Sequence, residues 1–243
     1  MIYLSGDPHG EEARFRQLYE QGERYFTAAD TLIFTGDFGY TAAPDEISRK
    51  RDFLDNLAAR PYTIAFCDGN HENFDALAQY PVEEWNGGLV HVIRPNILHL
   101  MRGQCYTIEG KTFLSLGGAY SVDGYMRKRG GNWFPEAELY APEDYRTTGE
   151  TLKRIGNKVD YVISHTCPAE IIRRMGYTPD PHDAQMTGHF EWVMYELGDS
   201  FTQWFFGHWH LDEQITPRFR CLWYDLVALD DGVEGGYILA AKG

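Results

Sequence analysis

The stretch Ile2-Tyr-Leu-Ser-Gly-Asp-Pro-His9 sets a pattern that the rest of the chain repeats. Its apolar run, Ile2–Ser5, has the length of a buried strand, and a carboxylate and an imidazole, Asp7 and His9, follow it directly. The same order returns at Thr31–Thr35, followed by Gly36-Asp37, and at Tyr62–Cys67, followed by Gly69-Asn70-His71-Glu72. Between these runs lie amphipathic stretches of helical character, Glu11–Tyr25 and Pro44–Ala59, the second opening with Pro and then Asp-Glu as a helix start does. The rhythm is β-α-β-α-β, which places the chain in the α/β class, where ligands bind at the C-terminal edge of the strands.

Outward from this core, further strand candidates are Leu89–Ile93, Gln104–Glu109, Thr112–Leu116, Val159–Ser164, Gln203–Phe206, Phe219–Val227 and Gly236–Ala240. From Leu89 to Leu116 strands follow one another without helix-length gaps, with Glu109-Gly110-Lys111 as a hairpin turn. Helical character returns at Pro142–Ile155 and Phe190–Leu197, and a second hairpin is expected around Asp230–Gly236. With no repeat and no linker, residues 1–243 read as a single domain. Gly117–Tyr140, rich in Gly, Arg and aromatic residues, is the least regular segment and a candidate lid or insertion.

Composition narrows the function classes. Over 243 residues, 22 Lys and Arg face 36 Asp and Glu, a net charge of −14, and 15% of residues are aromatic. The aromatic content excludes low-complexity disorder. The acidity argues against nucleic acid and membrane surfaces as partners, because phosphate contacts come from clustered Lys and Arg. A phosphate-bearing small substrate stays open, since bound metal ions reverse the field locally. No apolar run reaches the ~20 residues of a membrane span, and no basic stretch with a long apolar core opens the sequence, so the expected location is cytoplasmic. Cys67, Cys105, Cys167 and Cys221 are widely spaced, form no C-x-x-C pair and read as buried free thiols.

Taken singly, the polar clusters are weak signals. D-x-H and Gly-Asp are common in turns, Asn70 fits a helix cap, and His208 and His210 fit a structural pair. Together they are stronger. His165 ends one apolar run and Gly207-His208-Trp209-His210 ends another, so each of the five clusters follows an apolar run. The set uses five of the nine histidines, with Asp and Asn but no Cys. Asp7, His9, Asp37, Asn70, His165, His208 and His210 can supply oxygen and nitrogen to two divalent ions, and an extended H-x-H points both imidazoles to one side. Mixed N/O ligation without thiolate suits Mn, Fe, Zn or Ni, with Mn favoured, over a structural zinc of the Cys type.

D-P-H-G at Asp7, G-D at Gly36, G-N-H-E at Gly69, His165 and G-H-W-H at Gly207 resemble the ordered motif set of the calcineurin-like metallophosphoesterases, spread from residue 7 to 210. The resemblance implies two packed mixed β-sheets flanked by helices, a four-layer sandwich with a binuclear metal centre at the strand ends. It assigns Asp7, His9, Asp37 and His210 to one ion, and Asp37, Asn70, His165 and His208 to the other, with Asp37 bridging. His71 matches the family's catalytic histidine, which contacts the phosphate and is the candidate to protonate the leaving oxygen. One departure is informative. The serine/threonine protein phosphatase branch carries an Asp-Arg pair shortly after its second Gly-Asp and lacks H-x-H, whereas here Gly36-Asp37 runs into Phe38-Gly39-Tyr40. Protein phosphatase activity of that branch is therefore not expected.

The expected function is metal-dependent hydrolysis of a small, nucleotide-like phosphomonoester or phosphodiester, in which two ions activate a shared water and neutralise phosphoryl charge. A nuclease is disfavoured because Arg127-Lys128-Arg129 is the sole short basic cluster. A non-catalytic scaffold of the same fold is disfavoured because such members have typically lost ligands, and all seven are present. Within 117–140, Arg127 is a candidate to hold a phosphate and Trp133 to stack on a base, the alternative being a surface excursion with Trp133 packed on the core. Glu72 is expected in the first turn of the helix after Asn70, and His91, His99, His182 and His189 read as structural or surface residues.

Overall fold

Successive side chains of a strand point to opposite faces, and here both faces of the central strands are covered, which is why their sequences are continuously apolar. The computed structural model describes residues 1–41, 49–129, 133–230 and 233–239. Its strands are β1 (Ile2–Ser5), β2 (Thr31–Phe34), β3 (Thr63–Cys67), β4 (Val82–Trp85), β5 (Gly88–Arg94), β6 (Ile97–Leu100), β7 (Cys105–Ile108), β8 (Lys111–Leu116), β9 (Tyr161–Ser164), β10 (Gln203–Phe206), β11 (Glu213–Thr216), β12 (Phe219–Cys221), β13 (Val227–Asp230) and β14 (Val233–Ile238). Its helices are α1 (Glu12–Gln21), α2 (Arg49–Ala58), α3 (Phe74–Leu77), α4 (Pro142–Arg154), α5 (Ala169–Arg174) and α6 (Ala184–Leu197).

Two mixed sheets form, of eight strands (β14-β13-β1-β2-β3-β6-β5-β4) and six (β11-β12-β10-β9-β8-β7). In the first, β1, β2, β3 and β6 run parallel, and in the second β8, β9, β10 and β12 do. The sheets pack face to face through Ile2, Leu4, Ile33, Ala65 and Cys67 on one side and Phe113, Tyr161, Ile163 and Phe205 on the other. The alternate residues Leu32, Phe34, Ile64 and Phe66 face α1 and α2 through Phe15, Leu18, Leu54 and Leu57. Likewise Val162, Trp204 and Phe206 face α5 and α6 through Ile171, Ile172, Phe190 and Val193. Full burial of each such side chain contributes roughly 1.5–3 kcal/mol. The result is the four-layer α/β sandwich that the motifs implied, with the C-terminal ends of β1, β2, β3, β9 and β10 carrying the polar clusters.

Several boundaries differ from the sequence reading, for physical reasons. Phe219–Val227 is two strands in different sheets. Asp212 accepts from the amides of Trp223 (2.8 Å), Tyr224 (3.0 Å) and Asp225 (2.8 Å), which takes them out of a ladder and carries the chain from β12 across to β13. Two of the strands not anticipated, β4 and β11, are edge strands with exposed polar residues such as Glu83, Glu84, Glu213 and Gln214. The third, β6, is central but only four residues long. The helix expected over Phe190–Leu197 begins at Ala184, and α3 and α5 are short. The expected helix opening at 44–48 and the turn at 231–232 lie outside the described residues. Glu109 and Gly110 do form the β7–β8 hairpin turn, at φ 47° and 77°. All four cysteines are buried and free, and among the described residues no helix is long and apolar enough to cross a membrane.

Candidate metal centre

Three of the motif glycines make room for a candidate ligand that follows another strand. A Cβ at Gly207 would lie 2.0 Å from Asp7 Oδ1, one at Gly69 2.1 Å from Asp37 Oδ1, and one at Gly36 2.2 Å from the His165 ring. Any side chain there would displace a ligand, so Gly precedes Asp, Asn and His for reasons of space. The backbone after the strands then turns sharply. Seven described non-glycine residues have positive φ, and four of them are His9 (49°), Asp37 (47°), His208 (67°) and His210 (51°). Left-handed backbone is uncommon outside glycine and concentrates at functional sites. His208 and His210 thus converge on the site from left-handed turns, and not from the extended H-x-H expected.

The side chains meet at Asp37. Its Oδ2 lies 3.3 Å from His165 Nε2, 3.8 Å from His9 Nδ1 and 3.9 Å from His71 Nε2. Its Oδ1 accepts from the His71 amide at 2.8 Å, which fixes the carboxylate plane. Asp7 Oδ2 accepts from the His208 amide at 2.8 Å and lies 3.5 Å from His210 Nε2, while Asp7 Oδ1 is buried without a hydrogen-bond partner among the described residues. His9 Nε2 and His210 Nε2 face each other at 2.9 Å. Asn70 Oδ1 lies 3.0 Å from His165 Nε2 and 3.1 Å from His208 Nδ1. His165 Nδ1 sits 2.8 Å from the Thr35 carbonyl, so that nitrogen carries the proton and Nε2 is turned to the centre.

Asp7, Asp37, Asn70 and His165 form a buried floor, with His9 and His208 half-buried and His71 and His210 at the mouth. Burial pushes the Asp7 carboxyl up to about 7. Burial works the same way on Asp37, but His165, His71 and His9 outweigh it and hold this carboxyl below the usual carboxylate range. Burial pushes His208 down to about 3, with the neighbouring His165 adding to it. An orphaned buried carboxylate oxygen, opposed imidazole nitrogens and an N/O donor set without sulfur are what divalent transition ions satisfy. Three donor groups have ligand atoms within 4.8 Å of one another: Asp7-His9-His210, His9-Asp37-His71 and Asp7-Asp37-His165. The residues therefore fit a metal centre.

The remaining site candidates lie beside it. Arg127 Nη2 contacts His71 Nε2, its Nη1 donates to the Asn70 carbonyl at 3.4 Å, and its Nε donates to Asp123 at 2.9 Å. Burial, with Arg127 beside it, overcomes Asp37 and pushes His71 down to about 4. Trp133 is half-buried against Gly124, where an added Cβ would lie 2.4 Å from the indole, and its Nε1 lies 3.5 Å from Glu138. Residues 130–132 of the expected lid are outside the described residues.

Glu72 has a different role from the expected one. The helix starts at Phe74 with Asn73 as its cap, and Glu72 is buried, accepting from the amides of Phe38 (2.7 Å) and Gly39 (3.3 Å). It holds the loop that presents Asp37, a contact between distant segments with no spacing to announce it. Asp68 escaped the sequence reading for the same reason: it is buried, bound by Arg102 Nε at 2.9 Å and near His99 Nε2 at 3.2 Å. His99 is thus structural, and His182 is an exposed ring stacked on Tyr120.

Comparison with curated proteins finds no match. The family model of the calcineurin-like phosphoesterases matches residues 1–212, the span from β1 through His210 that carries every candidate ligand, and the chain belongs to that family.

Proposed function

We propose that this protein is a metal-dependent hydrolase of small phosphoesters, acting on a nucleotide-like monoester or diester in the cytoplasm, with the whole chain as one catalytic domain. The observation that carries the reading is the convergence of three imidazole nitrogens within 3.9 Å of Asp37 Oδ2, beside the orphaned Asp7 Oδ1. Asp7, His9, Asp37 and His210 would hold one divalent ion, and Asp37, Asn70, His165 and His208 the other, manganese being favoured for both. When bound, such a pair supplies a water of lowered pKa and positive charge for the phosphoryl oxygens.

The chain's own groups do the rest. Arg127 has only N–H donors, so His71 Nε2 accepts from it in the free site. A phosphoryl group entering between them competes for the one Nη2 hydrogen that His71 holds, the other donors of the guanidinium being held by Asp123, the Asn70 carbonyl and Ser121. His71 Nε2, released, faces the ester with its lone pair free; once it has taken up a proton from solvent it can pass that proton to the leaving oxygen. The four buried thiols suit a reducing compartment.

A hydrolysis panel on manganese-loaded protein tests the reading, using p-nitrophenyl phosphate, its bis ester, cyclic nucleotides, dinucleoside polyphosphates and short oligonucleotides. Turnover of small esters and not of oligonucleotides is expected. Metal-loaded protein inert to every substrate would favour a scaffold of the same fold.

A further inference from the structure

The orientation of Asn70 is imposed from outside the seven candidate ligands. A ligating Asn must turn its amide oxygen to the metal and its NH₂ away, yet the two ends of an amide are nearly the same size. In this structure Asn70 Nδ2 donates to Ser121 Oγ at 3.1 Å, and Ser121 Oγ donates to Glu138 Oε2 at 2.7 Å. Arg127 Nη1 donates to the same hydroxyl at 3.3 Å. A hydroxyl has one proton and two lone pairs, and here all three are used.

The direction of each bond follows from Glu138. Its side chain receives the Ser121 hydroxyl, the Ser121 amide at 3.0 Å and the Trp133 indole N–H at 3.5 Å. Burial raises the Glu138 carboxyl, and the bonds from Ser121 and Trp133 with the nearby Arg127 work against it; as a carboxylate it can only accept, so the Ser121 proton points at it and the Ser121 lone pairs face Asn70. Asn70 must answer with N–H, which leaves Oδ1 aimed at His165 and His208. Glu138 is itself fixed, fully buried, with Arg102 Nη2 donating to the adjoining carbonyls of Ala137 (2.8 Å) and Glu138 (3.3 Å).

We propose that Glu138 and Ser121 are positioning residues that set the Asn70 amide oxygen toward one of the two metal sites. Two residues of the segment from Gly117 to Tyr140 thereby shape the metal centre. This rests on Asn70 being a metal ligand, and the test separates the two claims. Metal-free protein is titrated with Mn²⁺ by calorimetry, resolving two binding steps, for wild type, Ser121→Ala, Asn70→Ala and the double variant. Loss of an outer partner of this kind weakens metal binding by roughly 10–100-fold. Ser121→Ala is expected to weaken one step by that factor, and to add nothing further in the Asn70→Ala background.

Wild-type binding in Ser121→Ala, or equal weakening of both steps, overturns the positioning role while a lost step in Asn70→Ala keeps Asn70 as a ligand. Wild-type binding in Asn70→Ala overturns the ligand reading and the relay with it. Should Ser121→Ala fail to fold by circular dichroism, Glu138→Gln tests the same link. Its amide can donate where the carboxylate only accepts, which frees the Ser121 proton to face Asn70, and the same single step is expected to weaken; unchanged binding there overturns the relay.

Discussion

Asp37 Oδ2 and His165 Nε2 lie 3.3 Å apart although their strands belong to different sheets. The centre is therefore a joint between the two halves of the sandwich, and Asp37 lies beside His9 of one proposed ligand set and His165 of the other. Asp37→Ala should lose both metal ions and all activity together. His71→Ala should keep close to two ions per chain and lose about 10²–10⁴-fold in kcat, the usual contribution of a general acid. Metal analysis after mild dialysis, set beside turnover, separates the two roles. A His71→Ala protein that folds but loses metal would make His71 a ligand, in line with its grouping with His9 and Asp37.

The glycine contacts give a second prediction. In Gly207→Ala the new Cβ would stand 2.0 Å from Asp7 Oδ1, too close for either to stay in place. Overpacking of this kind costs about 1–3 kcal/mol. The thermal midpoint should fall, and Mn²⁺ affinity should fall with it, because the group displaced is a proposed ligand. Gly110→Ala is the comparison: its Cβ would meet nothing within 4 Å, so only the strain of its positive φ acts and metal affinity should hold.

These contacts also explain what the sequence could and could not disclose. The five strands that end in polar clusters were legible because burial on both faces makes them continuously apolar, and the candidate ligands were legible because they sit next to them in the chain. β4 and β11 were hidden because an edge strand can expose Glu83 or Gln214 without cost. The groups that orient the site, Glu72, Ser121 and Glu138, were hidden for a deeper reason. Each works through a partner 17 to 51 residues away, as in the Asn70–Ser121 and Ser121–Glu138 bonds, or through the backbone of another loop. No local period or motif records such a contact.

Asp68 carries a stability prediction. Burial would raise its carboxyl, but Arg102 and His99 overcome burial and hold it well below the ordinary carboxylate range. A carboxyl depressed in the folded state contributes stability that is fully present above its unfolded pKa, near 4, and is lost as pH falls through the lower folded value. Removing one partner of such a buried pair costs about 3–5 kcal/mol. Asp68→Asn should therefore melt well below wild type at pH 7, with the gap narrowing in strong acid. A gap that stays constant from pH 7 down to pH 2 would show that the charge on Asp68 is not what stabilises the fold.

Arg127 carries the last prediction, which decides where it acts. Its side chain is held by Asp123 and meets His71, so the proposed function puts it at the reacting phosphorus, not at a distant part of the substrate. Every phosphoester presents that phosphoryl group. Arg127→Ala should therefore reduce kcat/KM for p-nitrophenyl phosphate and for a nucleotide substrate by a similar factor, about 10–100-fold for a charge-assisted contact of roughly 1.5–3 kcal/mol. Arg127→Lys should recover only part of it, since an ammonium keeps the charge but not the fork that spans Asp123 and the site. Trp133, packed on Gly124 and near Glu138, provides the contrast. If it also meets a base, Trp133→Ala raises KM for the nucleotide alone, and if it only packs, the variant lowers the thermal midpoint and leaves both KM values alone. A loss in Arg127→Ala confined to the nucleotide would move Arg127 away from the phosphoryl centre and onto the remainder of the substrate.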